Sequence, residues 1–154
     1  GEKLWTAAYD GDLTLVKELL QKKSVKPDAY RDPAEDGTAL HIAATQGHSQ
    51  VVDALIKHGA DVRAVTNKRN TALHKASEYN QVRAAQVLIN AGAVLDAKNA
   101  DGNTALHIAV QHGNEEVAHA LKQNGASDNV LNINKKKPHE LAKHISKDKQ
   151  DDKR

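Results

Sequence analysis

The tetrapeptide Thr-Ala-Leu-His occurs at residues 38–41, 71–74 and 104–107, each copy 33 residues after the last. The dipeptide Gly-Ala keeps the same step at Gly59-Ala60, Gly92-Ala93 and Gly125-Ala126. Two different phrases locked to one period constrain the chain more than any other feature. A period of this length marks stacked supersecondary units, each too thin to bury its own apolar face, in place of one closed core. Composition agrees with thin layers. The 154 residues include no Phe, Met or Cys, one Trp and three Tyr. The large aromatics that usually fill a deep core are missing, so packing falls to Ala, Leu, Val and Ile.

Within each unit the spacing predicts two helices. Thr38 is an N-cap candidate, because its hydroxyl can satisfy a first-turn N–H. Leu40, Ile42, Ala43 and Ala44 fill a short helix that Gly47 stops. A second helix over residues 49–58 carries Val51, Val52, Leu55 and Ile56 at inward spacing, and Gly59 ends it. The third unit departs in three places. Asn80 replaces Gly47 and Gly113, and asparagine tolerates the left-handed conformation. Lys75 replaces Ile42 and Ile108, read as a lysine with a buried stem and an amine that reaches the edge. Arg69 stands where Gly102 stands, which predicts a different turn backbone. In the fourth unit Lys122 replaces Ile56 and Ile89. At the start, Leu4, Ala7, Ala8, Gly11, Leu15, Val16, Leu19 and Leu20 outline a shortened opening unit with a polar outer face. Residues 24–36, with Pro27 and Pro33, form a longer joint. Pro138 opens a closing half unit at the favoured first helical position. The chain divides into a cap at 1–35, units at 36–68, 69–101 and 102–134, and a cap at 135–145. Together they make one domain over 1–145, followed by a charged, frayed tail at 146–154.

Thr-Ala-Leu-His-x-Ala, then Gly, then paired aliphatics, then Gly-Ala resembles the ankyrin repeat over nearly the whole chain. The resemblance implies a mainly α solenoid: stacked helix–turn–helix units joined by β-hairpin loops, three full repeats with partial caps. It also implies a concave groove, lined by the short first helices and the loop tips, that binds other proteins. By register, the groove candidates are Tyr9 and Asp10, Thr45 and Gln46, Glu78 and Tyr79, Gln111 and His112. The loop-tip candidates are Glu35, Asn67, Lys68, Asn70, Ala100, Asp101 and Asn103. Tyrosine is enriched among residues that dominate interface energy, which draws attention to Tyr9 and Tyr79. Trp5 shares the register of the motif histidine and is read as cap packing. The motif histidines, by the resemblance, tie adjacent loops together.

Other chemistries fit poorly. His41, His74 and His107 lie on units about 8–10 Å apart, whereas zinc ligands converge within about 2 Å of one ion. Glu116 and His119 share a helical face but lack partners from other helices. No phosphate-binding glycine loop or nucleophile elbow occurs, so the chain reads as non-catalytic, with no cofactor and no metal. Formal charge is +2, with a net +4 over residues 135–154 and −2 before them. A near-neutral body disfavours nucleic acid as partner. Lys135, Lys136 and Lys137 could touch phosphates or an anionic surface, yet they lack the interleaved aromatics that stack on bases. No apolar run reaches the roughly 20 residues of a membrane span. The expected state is a monomer that binds a protein partner. The alternative is a regulatory or inhibitory domain of a larger enzyme or channel. A cytoplasmic location is favoured; a secreted or periplasmic one stays open, because Gly1 is not an initiator Met.

Overall fold

The structure, a computed structural model, describes residues 1–142; the end of the closing cap, 143–145, and the tail at 146–154 lie outside the described residues. Eight α-helices alternate in two roles. The first helix of each pair is α1 (Glu2–Asp10), α3 (Ala39–Gln46), α5 (Ala72–Glu78) and α7 (Ala105–Gln111). The second is α2 (Leu13–Leu20), α4 (Ser49–Lys57), α6 (Val82–Asn90) and α8 (Glu115–Gln123). First helices pack on first helices and second on second, so the pairs form two layers. A 3-10 helix, Pro138–Ala142, closes the stack on α7.

The repeated threonines start the first helices. Thr38, Thr71 and Thr104 hold extended φ and ψ at the N-cap. In units three and four the hydroxyl of Thr71 or Thr104 accepts from the N–H of His74 or His107, each at 3.3 Å. Each histidine Nδ1 accepts in return from the threonine N–H, at 3.0–3.1 Å. This is a capping box with histidine in place of the usual Glu or Gln. Gly47 at φ 75° and Asn80 at φ 55° then turn the chain into the second helices, as the asparagine substitution anticipates.

The core is one continuous cluster from Leu4 to Leu121. Leu40, Leu73 and Leu106 seal the first layer, and Leu55, Leu88 and Leu121 the second, all at most 1% exposed. Burying each such leucine is worth roughly 1.5–3 kcal/mol, and no aromatic is needed. One packing expectation is corrected. Leu15 is 38% exposed, because the opening unit has no neighbour on its outer side. Ile56 is half-buried and packs against the core, with Ala54 buried on the same helix. No strand forms among the described residues. The joints are tight turns, each closed by two backbone bonds: Asp32 N–H to Gly37 O with Asp36 N–H to Asp32 O, Thr66 to Asn70 with Arg69 to Thr66, Asn99 to Asn103 with Gly102 to Asn99, and Asn132 to Lys136 with Lys135 to Asn132.

Arg69 also differs from expectation. Its φ of 62° matches Gly102 at 71°, and Asp36 and Lys135 in the same register lie at 58° and 57°. The turn backbone is therefore conserved along the stack, and Arg69 bears the left-handed strain itself. Arg69→Gly is expected to raise stability by about 0.5–1 kcal/mol, relief of that strain offset in part by a freer unfolded chain. A urea titration showing a loss would contradict this.

Candidate functional site

The ends of the first helices carry the groove candidates, and the stack fixes those ends from the side. The side chain of the residue that begins each second helical segment reaches back to the preceding unit. His48 Nε2 lies 3.0 Å from Tyr9 O, Gln81 Nε2 donates to Thr45 O at 2.9 Å, and Asn114 Nδ2 donates to Ser77 O and Glu78 O at 2.8 and 2.9 Å. These bonds satisfy carbonyls at helix C-termini, which have no partner within the helix. They hold Tyr9, Thr45 and Glu78 in a row on neighbouring units. Sequence reasoning missed this device; its signal is the polar side chain after each turn residue Gly47, Asn80 and Gly113.

Along that row, Gln46 and Gln111 are exposed. Tyr79 is 52% exposed and Tyr9 47%. Asp10 is exposed, as is His112, whose Nδ1 bonds to Ile108 O. Thr45 is half-buried, with its hydroxyl donating to His41 O at 2.8 Å. Tyr9 stacks on Trp5 at 5.8 Å, and Tyr30 meets Trp5 edge-on at 6.4 Å, so Trp5 packs within the cap as its register implies.

The turn tips form a second row joined by backbone bonds between units. Asn67 N–H donates to Glu35 O, Ala100 to Lys68 O and Ile133 to Asp101 O, at 2.8–3.0 Å. The side chains of Glu35, Asn67, Lys68, Ala100 and Asp101 remain exposed. Asn70 and Asn103 are different: both are half-buried and occupied within the stack. Asn99 Nδ2 donates to Asn70 Oδ1 and Asn132 Nδ2 to Asn103 Oδ1, each at 2.9 Å.

Lys75 brings the two rows together. It is 7% exposed, and its Nζ lies 3.1 Å from Glu35 Oε2 and 3.5 Å from Glu78 Oε2. The same ammonium sits 5.9 Å from the centre of the Tyr79 ring. Burial pulls the Lys75 pKa down, but the hydrogen bond to Glu35 and the charges of Glu78 and Glu35 more than offset this and raise it. The amine therefore stays charged. Its stem is buried, as the sequence suggests; Glu78 lies at helical i,i+3 spacing, but the partner on a distant turn, Glu35, could not be read from spacing.

The motif histidines sit beneath these rows. His41 Nε2 reaches Asn70 O at 3.0 Å, His74 reaches Asn103 O at 2.9 Å and His107 reaches Lys136 O at 2.9 Å. Because a backbone N–H points at each Nδ1, the proton belongs on Nε2, which donates to the next unit's turn. Burial drives the pKa of His41 down to about 4, and those of His74 and His107 also down. Both ring nitrogens are used: Nδ1 caps its own helix and Nε2 ties that helix to the next unit.

Comparison with known proteins agrees with this architecture. The family model for ankyrin repeats in three copies matches residues 4–99 and 69–132. Ankyrin repeat domain-containing protein 39 of Homo sapiens is 39% identical over 64 residues, 42% of this chain and 33% of that protein. Ankyrin repeat domain-containing protein 49 of Bos taurus is 48% identical over 63 residues, 41% of this chain and 25% of that protein. The palmitoyltransferase AKR1 of Saccharomyces cerevisiae is 41% identical over 59 residues, 38% of this chain and 8% of that protein. The chain thus spans a third or less of the length of these relatives. Ankyrin repeats are generally non-catalytic, protein-interaction modules, and no helix among the described residues is long and apolar enough to cross a membrane. With matched residues running almost from the first helix to the last turn, and the threonine–histidine box repeated in register, the chain belongs to the ankyrin-repeat family.

Proposed function

We propose that the chain is a non-catalytic module that binds a protein partner through the row Tyr9, Asp10, Thr45, Gln46, Glu78, Tyr79, Gln111 and His112 and the adjacent turn tips. One observation carries this reading. The polar side-chain atoms of the repeated phrase are consumed inside the stack, whereas the side chains of Gln46 and Gln111, on the same helices, are exposed and make no hydrogen bond among the described residues. Exposed side chains on a backbone that the stack already holds suit recognition, since little backbone ordering entropy remains to be lost on binding. Capture from cell extract with wild type and with Tyr79→Ala plus Gln46→Ala tests it. Partner recovery should fall at least tenfold while the thermal melt is unchanged; equal recovery would count against this face.

The short share of each relative that the chain spans favours a second reading, in which the same row regulates or inhibits an enzyme or channel as part of a longer chain. In that case the captured partner would be a segment of the same polypeptide, and deleting the repeats would change the activity of the remainder.

A further inference from the structure

The cluster where turn tip and helix end meet has an unbalanced charge. Lys75 Nζ is shared by two carboxylates, Glu35 and Glu78, so one negative charge is left over at this spot. The nearby Arg31 does not supply the difference. Its guanidinium bonds to Asp36 O and Val65 O and pairs with the Asp36 carboxylate at 3.5 Å. The Glu35 side chain is 53% exposed and that of Glu78 32%, and each keeps a second oxygen that no ion pair uses. Beside them the Tyr79 ring is half exposed.

We propose that Glu35, Glu78 and Tyr79 form a subsite for a cationic side chain of the partner, arginine in preference to lysine. The proposal rests on the reading that the helix-end row binds a protein, and it names the chemistry recognised at the row's centre. Three side-chain classes can be weighed. An acidic group would face two carboxylates. An apolar group would strip water from both without replacing its hydrogen bonds, which is costly for a charged group. A guanidinium can lie over the aromatic ring and give planar, paired N–H donors to a carboxylate. Lys75 is a positioning residue in this arrangement. Its single ammonium draws the turn-borne Glu35 and the helix-borne Glu78 to one point without cancelling both.

The test is selection of a random 16-residue peptide library, displayed on phage, against the immobilised chain. Recovered peptides are then titrated by fluorescence anisotropy against wild type, Glu78→Gln, Tyr79→Ala, Gln46→Ala and Gln111→Ala. The expected result is a shared basic residue, arginine more often than lysine, with an exchange of that arginine for lysine weakening binding. Its replacement by alanine should weaken binding to wild type about tenfold or more, the scale of one charged contact, and should matter much less to Glu78→Gln. Both variants are at partly exposed positions and should melt with wild type. If Glu78→Gln alone melts early, Glu35→Gln replaces it in the same cycle. Peptides that lose affinity for Tyr79→Ala but share no basic residue would overturn the subsite and leave the binding row standing. Peptides indifferent to Tyr79→Ala, Gln46→Ala and Gln111→Ala would overturn both. A selection without basic enrichment, an empty one included, also overturns the subsite.

Discussion

Leu88→Ala is expected to lower the unfolding free energy by about 2–5 kcal/mol, the range for truncating a fully buried leucine. Leu88 is 0% exposed on α6, which packs against α4 on one side and α8 on the other. In a stack, stability is close to a sum of unit and nearest-neighbour terms. A cavity in the third unit therefore weakens its own helix pair and two interfaces. Leu19→Ala, in the opening unit, has one neighbour only and a residue 8% exposed; its cost should be smaller. Equilibrium urea unfolding checks both. A Leu88→Ala midpoint within error of wild type, or a larger loss at Leu19, would mean that the layers are not coupled as described.

The second large effect is on pH dependence. His41 is buried and neutral, with its pKa lowered from 6.5 to about 4, chiefly by burial. The unfolded chain therefore binds a proton more readily than the folded one, and stability falls as pH drops below about 6.5, levelling off near 4. From His41 alone the loss is about 2 kcal/mol at pH 5 and about 3 kcal/mol once pH is below 4. His74 and His107 shift in the same direction for the same first cause, so each adds a loss that also sets in as pH drops below about 6.5. Protonation also puts a hydrogen on Nδ1 facing the threonine N–H, so the cap bond fails, while the Nε2–H keeps its bond to the next turn. Urea titrations at pH 7.5 and pH 5.0 measure this directly. Equal stability at the two values would show that the histidines are not held neutral between units.

Most of the frame was legible because its signals are local and repeated. Thr71 and His74 cap a helix from three residues apart and Asn80 turns the chain through its own φ, and a period of 33 residues shows the same device three times. Residues whose partners lie a unit apart were harder. Lys75 looks like one charge at an apolar position until Glu35, 40 residues earlier, closes on it. The Asp32 turn spans one residue more than the Thr66 turn, so simple register does not predict which tip side chain meets which helix. Leu15 was misplaced for a related reason. Spacing gives its helical face but not whether another unit covers that face. Arg69 failed differently: the stack holds the turn left-handed, and the residue conforms at some cost. Among the binding candidates, Asn70 and Asn103 have the composition of loop-tip ligands, yet their amides are engaged between turns.

The central claim is that recognition lies on the row between the copies of the repeated phrase and not on the outer helices. Amide hydrogen exchange of the chain, with and without a captured partner, tests it most directly. Binding should slow exchange around residues 35, 45–46, 78–79 and 111–112, and leave α2, α4, α6 and α8 unchanged. Protection confined to those second helices, with the row exchanging as in the free chain, would contradict the account.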